Sequence, residues 1–490
     1  MSGAELANRI GPYRKQMTDI STDEAASAVQ VQPSAVELAA VGLAQRIPGL
    51  GGISASGRVL KAFRGGTWTV VGYGASQIVR LASTLVLARL VAPQAFGLVA
   101  LVSVFLSGLE SLSDLGIGMD VVQNERGDDP LFINTAFIIQ MARGGVLWVV
   151  AASLAYPFAI FYHQPAVFAL AVVGSLSTLV RGFGSGSIWL LTRHVRLKEL
   201  TMLNTGSDVC GLLVSVIWAV ISPTAWALVA GRVAATVALT IASHVIADNR
   251  VSLDWDPKAA KVILAFGAGI FVSTSTYFLA GEAERLVVGK FVSMVELGCF
   301  SLALSISSAA SRGFQQVVGQ VFFPMISDSI RENREGAIRH FRKTSHLVLL
   351  LSSSMSVGFV FGSGWIVHLL LGPKYAQTGW MLQLLGIRGA VELFISVPAT
   401  MLFALGTSRY AAIANISKLT FLGIGLSIAF GRFGFHGALW VLTLAPLANY
   451  VPMLIGLRNR CAPAVRAELT NFASFAAITA LAIVFSGMIR

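Results

Sequence analysis

Eleven charged side chains lie inside long apolar runs of this 490-residue chain, at least four residues from either end of the run. Seven of them are cations: Arg80, Arg143, Arg181, Arg232, Arg312, Arg388 and Lys418. The other four are acids: Glu110, Asp114, Asp208 and Glu392. Each charge facing hydrocarbon would cost about 3 kcal/mol, on the order of 30 kcal/mol together, which exceeds the net stability of most folds. We therefore expect these groups to face a protein interior, to pair, or to reach the membrane surface.

The surplus of cations is the pattern expected of a site for an anionic head group. A guanidinium binds phosphate through paired donors, and a diphosphate needs more than one such group. Both halves of the chain supply cations, so a cleft between the halves would be positive. The alternative for each cation is a structural ion pair or a place at a span end. Arg388 and Glu392, for example, have the i, i+4 spacing of an intrahelical pair.

The acids are candidates for binding H+ or Na+. Glu110 and Asp114 are four residues apart and of like sign, so they need a nearby cation or one of them holds a proton. Asp208 is a single acid in its apolar run, and Arg181 or Arg232 could neutralise it. The sequence leaves these pairings open because it does not reveal which helices touch.

The composition of the chain predicts a membrane protein. It is 55% hydrophobic and 12% charged, with mean hydropathy +0.73, whereas soluble domains contain about 25% charged residues. The net charge of +12 comes mostly from Lys and Arg in short loops, which indicates membrane topology and anionic lipid rather than nucleic acid. Cys210, Cys299 and Cys461 are isolated, so no disulfide framework is expected.

The apolar runs predict about thirteen transmembrane helices, most of them near the length of about 20 residues that crosses the hydrocarbon. Their predicted bounds are 67–88, 97–118, 132–155, 166–189, 204–221, 224–246, 260–281, 293–323, 345–370, 379–404, 410–431, 435–457 and 469–488. Loops after even-numbered spans contain fifteen Lys and Arg, and loops after odd-numbered spans contain five. The positive-inside rule therefore predicts a cytoplasmic N-terminus.

These spans divide the chain into four segments. Residues 1–66 are polar and are predicted to be a cytoplasmic N-terminal extension, partly disordered. Residues 67–247 and 259–457 are predicted to be an N-terminal and a C-terminal lobe of six helices each. Residues 468–490 are predicted to be an additional C-terminal helix.

A short motif occurs twice, 201 residues apart. Arg89 is followed eight residues later by Gly97, and Lys290 is followed eight residues later by Gly298. Each copy follows an odd-numbered span, so both halves would enter the membrane from the same side. This predicts a parallel repeat about an axis along the membrane normal, a known transporter plan. The alternative is a chance likeness between short loops.

Three stretches, taken in order, resemble the polysaccharide transporter family of Wzx and WzxC type. They are LARLVAPQAFGLVALV (87–102) with LSDLGIGMDVVQNE (112–125), VVGKFVSMVELGCFSLALSISS (287–308) with VVGQVFFPMISD (317–328), and LLLGPKYAQTGWMLQLL (369–385). The resemblance extends from about residue 65 to residue 460. The family belongs to a superfamily with multidrug exporters and lipid II flippases. The resemblance implies two six-helix lobes around a central cavity and transport by alternating access.

The same resemblance implies a substrate and a cellular setting. The substrate would be a polyprenyl-diphosphate-linked oligosaccharide, flipped across a bacterial inner membrane for exopolysaccharide or lipopolysaccharide biosynthesis. H+ or Na+ are the candidate coupling ions. The phospholipid bilayer and polysaccharide polymerase or export proteins are the candidate partners.

Two other functions remain open from the sequence. A multidrug or small-molecule exporter of the same superfamily would share the architecture, although surplus arginine disfavours cationic drugs. An integral membrane glycosyltransferase or polymerase is disfavoured because every predicted outer loop is short. The sequence contains no Walker motif and no HExxH or CxxC cluster, so neither a cofactor nor a metal is expected.

Overall fold

The computed structural model describes residues 74, 76–247, 252–332, 334–407 and 409–489. Within these ranges the chain is almost entirely helical and contains no strand, which confirms the predicted all-α class. Nine helices in this part of the chain are long and apolar enough to cross a membrane. The predicted extension over residues 1–66 lies outside the described residues.

The N-terminal half consists, in chain order, of α1 (76–90), α2 (Pro93–Ser111), α3 (Ile117–Gln123), α4 (Pro130–Phe161), α5 (Pro165–Gly174), α6 (Leu176–Gly182), α7 (Ser187–Arg193), α8 (Leu197–Ile221) and α9 (Ala225–Val245). The fourth predicted span is therefore divided between α5, α6 and the start of α7. Close packing accompanies this division, because a Cβ on Gly144 of α4 would lie 3.0 Å from Cα of Gly182.

The C-terminal half consists of α10 (Pro257–Phe291), α11 (Met294–Val317), a π-helical turn (Val318–Phe322), α12 (Phe323–Glu332), α13 (Arg334–Leu370), a short 3-10 turn (Pro373–Tyr375), α14 (Thr378–Ala404) and α15 (Arg409–Ile489). Non-helical φ/ψ angles at Gly434 and Cys461 divide α15 into three segments, which coincide with the last three predicted spans. The exact number of membrane crossings stays a prediction.

The ends of the helices follow from residues that cap them. Three of the helices start at Pro93, Pro130 and Pro257. The first residue of a helix donates no intrahelical hydrogen bond, so the missing N–H of proline costs nothing there. Ser293 and Glu296 form a reciprocal capping box at the start of α11. α10 ends at residue 291, just before this capping box, and therefore continues ten residues beyond the predicted end of its span.

The two repeat glycines lie at a crossing between α2 and α11. A Cβ added to Gly97 would overlap the carbonyl oxygen of Met294, and a Cβ added to Gly298 would overlap that of Pro93. Pro93 and Met294 are themselves 201 residues apart, so the two contacts are related by the repeat. The internal repeat is therefore a spatial pseudo-two-fold, and glycine is required where the two backbones touch.

The basic residues of the repeat join the halves in the same reciprocal way. Arg89 donates to the carbonyls of Leu369 and Leu370 at the end of α13. Lys290 donates to the carbonyl of Phe161 at the end of α4. Cations at helix C-termini satisfy free carbonyls and favour the helix dipole. We call these two contacts, together with the Gly97 and Gly298 crossing, the reciprocal inter-lobe contact.

Two tyrosines extend the reciprocal inter-lobe contact. Tyr162 Oη donates to the carbonyl of Leu286 over 2.9 Å, and Tyr375 Oη donates to the carbonyl of Val91 over 3.0 Å. Each tyrosine lies just after the helix that receives Lys290 or Arg89. In the predicted orientation, these residues lie at the face of the membrane opposite to the cytoplasm.

A second contact joins the halves at the opposite end. Arg126, in the loop before α4, donates to Asp256, the N-cap of α10, over 3.0 Å. Arg126 also donates to Asp129 over 2.7 Å, and that hydrogen bond holds the pKa of Asp129 below its usual range. The Asp129 carboxylate is therefore ionised at neutral pH, and its ion pair with Arg126 is intact at that pH.

Candidate functional site

A cavity of about 550 Å³ lies between the two halves. Four arginines and two acids are among the residues that line it: Arg80, Arg232, Arg285, Arg312, Asp208 and Glu282. Helices α1 and α9 supply one pair of arginines, and helices α10 and α11 supply the other. Both halves therefore contribute equally to a lining with surplus positive charge.

The arginines of this cavity differ in how strongly they are neutralised. Arg285 donates to Glu282 over 2.7 Å, and Arg80 lies 3.5 Å from Asp208 with 68% of its side chain exposed. Arg312 is exposed, lines the cavity and has no carboxylate partner within the described ranges. Arg232 lies 3.8 Å from Glu110, beyond ideal hydrogen-bond distance. Arg232 and Arg312, one from each half, are thus the cations most available to an anionic ligand.

A second, smaller cavity of about 280 Å³ lies between α2, α4 and α6. Arg143, Arg181, Glu110 and Asp114 line it. Glu110 is 3.4 Å from Arg181 in this cavity and 3.8 Å from Arg232 in the larger one. Its carboxylate therefore lies between the two cavities and is shared by both arginines.

Two predicted site residues of the smaller cavity stabilise the end of α2. Arg143 donates to the carbonyls of Ser113 and Glu110 over 2.7 and 2.8 Å. Asp114 accepts from the backbone N–H of Gly116 over 3.0 Å, where φ is +58°. These bonds satisfy backbone groups where the helix stops, so a structural role explains both side chains.

Arg388 and Lys418 do not line either cavity, although the sequence predicted them as cavity cations. Arg388 donates through both terminal nitrogens to Glu284, and Lys418 lies 3.6 Å from the same carboxylate. Arg388 also donates to Glu392 over 3.1 Å, as its i, i+4 spacing indicated. Glu284 is 1% exposed, so only paired cations make its burial tolerable. This cluster fixes α10 to α14 and α15, and we assign it a structural role.

Glu284 and Arg285 were not predicted to lie within a transmembrane span. Both lie beyond the predicted end of the seventh span at residue 281, whereas α10 continues to Phe291. The signal was present in the capping box formed by Ser293 and Glu296. Its position indicates that the preceding helix ends only at about residue 291, and that Arg285 therefore belongs to it.

The larger cavity is suited to an anion. Paired guanidinium groups bind phosphate oxygens through several N–H donors, and the low dielectric of a protein interior strengthens each bond. Within the described part of the chain, no group of His, Cys, Asp and Glu is arranged to hold a metal ion. The arginines themselves would thus neutralise an anionic ligand.

The chain matches the family model described as polysaccharide biosynthesis protein over residues 86–379. It is 22% identical over 374 residues to the lipopolysaccharide biosynthesis protein WzxC of Escherichia coli (strain K12), covering 76% of this chain and 75% of that protein. It is 20% identical over 354 residues to the teichuronic acid biosynthesis protein TuaB of Bacillus subtilis (strain 168), covering 69% and 70%.

The fold is also similar to two solved transporters. The lipid II flippase MurJ, in an inward closed conformation, superimposes with a TM-score of 0.65 at 12% identity, covering 86% of this chain and 97% of that chain. An inward-facing multidrug resistance MATE family transporter of the MOP superfamily gives a TM-score of 0.58 at 14% identity, covering 82% and 95%. At these identities the likeness establishes the fold alone.

Proposed function

Since the chain belongs to the polysaccharide biosynthesis protein family, we propose that it is a lipid-linked oligosaccharide flippase, a transporter rather than an enzyme. It moves polyprenyl-diphosphate-linked repeat units from the cytoplasmic to the periplasmic face of a bacterial inner membrane. The observation that supports this proposal is the central cavity, which is lined by arginines from both halves of the molecule.

The diphosphate is the part of the substrate that the cavity would recognise. Arg232 and Arg312 face the cavity from opposite halves, and a diphosphate between them would bridge the halves. Each guanidinium can donate two parallel hydrogen bonds to a phosphate. The polyprenyl tail stays in the bilayer, so that only the polar head group crosses the cavity.

Alternating access requires the two halves to separate at one end at a time. The reciprocal inter-lobe contact closes the end that we place at the periplasmic face. At the cytoplasmic end, the halves are joined by the Arg126–Asp256 pair and by apolar packing of the start of α10 against α3 and α4. Loading of a cytoplasmic substrate requires these cytoplasmic contacts to separate.

A drug exporter is the second transport function compatible with the fold. The fold is compatible with it, because a solved multidrug resistance MATE family transporter has a similar fold. The charge of the cavity opposes it, since four arginines against two acids repel cationic compounds. We therefore favour an anionic lipid-linked substrate.

The distribution of basic residues supports our proposal that the N-terminus is cytoplasmic. H+ or Na+ as coupling ion, and a polysaccharide polymerase or export protein as partner, are further parts of the proposal.

Arginine-to-alanine variants test the proposed function. We expect Arg232→Ala and Arg312→Ala to insert normally and to lower flipping about tenfold or more, because each loses charge-assisted bonds worth roughly 1.5–3 kcal/mol. Cells that lack their own copy of the gene would carry each variant, and the fraction of lipid-linked oligosaccharide reaching the outer face would be measured. Arg458→Ala, at an exposed position near the end of the helical segment before Cys461, is the matched control.

The same assay contains the outcome that would reject the flippase. If cells without the gene and without a redundant transporter moved lipid-linked oligosaccharide to the outer face at the normal rate, the proposed function would be wrong. If both cavity variants transported as well as the control, the phosphate-binding role of these arginines would be wrong.

A further inference from the structure

Glu468 is a fully buried acid in the last segment of α15, and neither cavity contains it. Its carboxylate oxygen Oε2 accepts a hydrogen bond from Ser345 Oγ of α13 over 2.6 Å. Asn471 Nδ2 donates to the same Ser345 Oγ over 2.9 Å. The second carboxylate oxygen, Oε1, has no hydrogen-bond partner among the described residues.

Tyr450 faces this acid and belongs to a cluster of aromatic rings. The rings of Phe394 and Phe475 stack with centroids 5.6 Å apart, and Tyr450 lies 4.7 Å from Phe472. The hydroxyls of Tyr450 and Thr344 are buried and, like Glu468 Oε1, have no partner in the described part of the chain. The surroundings of Glu468 are therefore largely apolar.

The charged groups nearby do not neutralise Glu468. Tyr450 is the titratable group that faces it from the preceding segment of α15. On α13, Arg342, Lys343 and His346 are exposed, and α14 contributes the ring of Phe394. No cation lies within ion-pair distance of Glu468 in the described ranges.

Three other acids of the bundle lie close to an arginine. Glu110 lies 3.4 Å from Arg181, Asp208 lies 3.5 Å from Arg80, and Glu392 lies 3.1 Å from Arg388. An unpaired carboxylate buried at this depth would cost several kcal/mol, so the group takes up a proton instead. The free Oε1 is where that proton fits, because Oε2 already accepts from Ser345.

We propose that Glu468 is a proton-binding site, and that the proton it carries is coupled to the movement of the last segment of α15 against α13. Ser345 links these two helices through Glu468 and Asn471, and further polar contacts between the helices are Arg342 with Pro463 and Ser356 with Thr479 within the described ranges. When the helices separate, water reaches the carboxyl group, its charged form becomes stable, and the proton leaves to water. Re-docking of the helices requires a proton to return.

A proton suits this pocket better than a metal ion. A sodium ion needs several oxygen ligands at once, whereas Glu468 has one hydroxyl neighbour within hydrogen-bond distance. That hydroxyl already receives an amide N–H from Asn471 and gives its own hydrogen to the carboxylate. The coupling part of this inference depends on the proposed flippase function, whereas the protonation part does not.

Infrared spectroscopy tests the protonation directly. With the full-length protein in lipid nanodiscs, we expect a protonated-carboxyl band at pH 7 that Glu468→Gln removes and that Glu125→Gln, a control in an exposed loop, retains. The glutamine resembles the neutral acid, so the variant should fold. If the Glu468→Gln and wild-type spectra were the same in this region, Glu468 would be ionised and the proposal would be wrong.

The coupling is tested in proteoliposomes containing lipid-linked oligosaccharide. We expect a proton gradient directed opposite to substrate movement to accelerate translocation by the wild type and by Glu125→Gln. The same gradient should have no effect on translocation by Glu468→Gln. If the gradient accelerated all three equally, Glu468 would carry a proton without coupling it to transport. If the wild type moved no substrate, the flippase proposal would fail, while the infrared band would still decide whether Glu468 binds a proton.

Discussion

Glu110 is the residue whose surroundings best explain how the cavity could bind and then release an anion. Its one carboxylate is shared by Arg181 and Arg232 at 3.4 and 3.8 Å, and its Oε1 atom is buried without a hydrogen-bond partner. A diphosphate that binds Arg232 would compete with this carboxylate. Glu110 can therefore act as an internal anion that occupies the arginine in the empty state and displaces the ligand later.

Removal of this competing charge should tighten binding. For Glu110→Gln we expect about fivefold stronger binding of a polyprenyl diphosphate, because loss of a partly exposed ion pair changes the free energy by about 1 kcal/mol. Release should slow, so turnover should fall. Ligand titration of the purified protein by fluorescence, with Glu125→Gln as control, measures the affinity. An affinity equal to that of the control would show that Glu110 does not compete with the ligand.

At the scale of single helices, the crossing of α2 and α11 is where the backbone geometry is most restrictive. Gly97 and Gly298 each approach a carbonyl oxygen of the other helix too closely for any side chain. The two helices can therefore pack together only with glycine at both positions. By contrast, Gly145 on α4 has open space around its Cβ position.

Alanine substitutions at the crossing should destabilise the protein to a similar extent. We expect Gly97→Ala and Gly298→Ala each to lower the free energy of unfolding by about 1–3 kcal/mol, because the added methyl group overpacks the contact. Gly145→Ala should be neutral or slightly stabilising, since alanine favours a helix. Thermal unfolding in detergent compares the three variants. Equal melting temperatures would mean that the contact adapts without cost.

At the scale of the whole molecule, the orientation in the membrane determines which end of the cavity faces the cytoplasm. The reciprocal inter-lobe contact lies beside loops with few basic residues, and the Arg126–Asp256 pair lies beside loops rich in them. The proposed direction of transport depends on this assignment.

Cysteine labelling can determine the orientation. In a Cys210→Ser background, where the remaining native cysteines are buried, a membrane-impermeant maleimide should label Lys374→Cys in intact cells. Arg196→Cys should react only after the membrane is permeabilised. Both side chains are exposed, so accessibility alone does not separate them. The reverse pattern would invert the topology and with it the proposed direction of transport.

The sequence by itself determined the class of the fold, the approximate position of most helices and the repeat. These features depend on local properties: apolar length, the proline and serine caps, and a motif repeated after 201 residues. The sequence also identified the cations of the central cavity in Arg80, Arg232 and Arg312, because an arginine in an apolar run must face protein or water.

Only the tertiary structure decided how the charges pair. From the chain alone, Arg388 and Arg312 look alike, yet Arg388 is held by Glu284 from a different helix and Arg312 faces the cavity. Likewise, no local pattern separates Glu468, with no cation, from Asp208, with one. The cost of a buried charge depends on what neighbouring helices bring within a few ångströms, and those distances are fixed only when the helices pack.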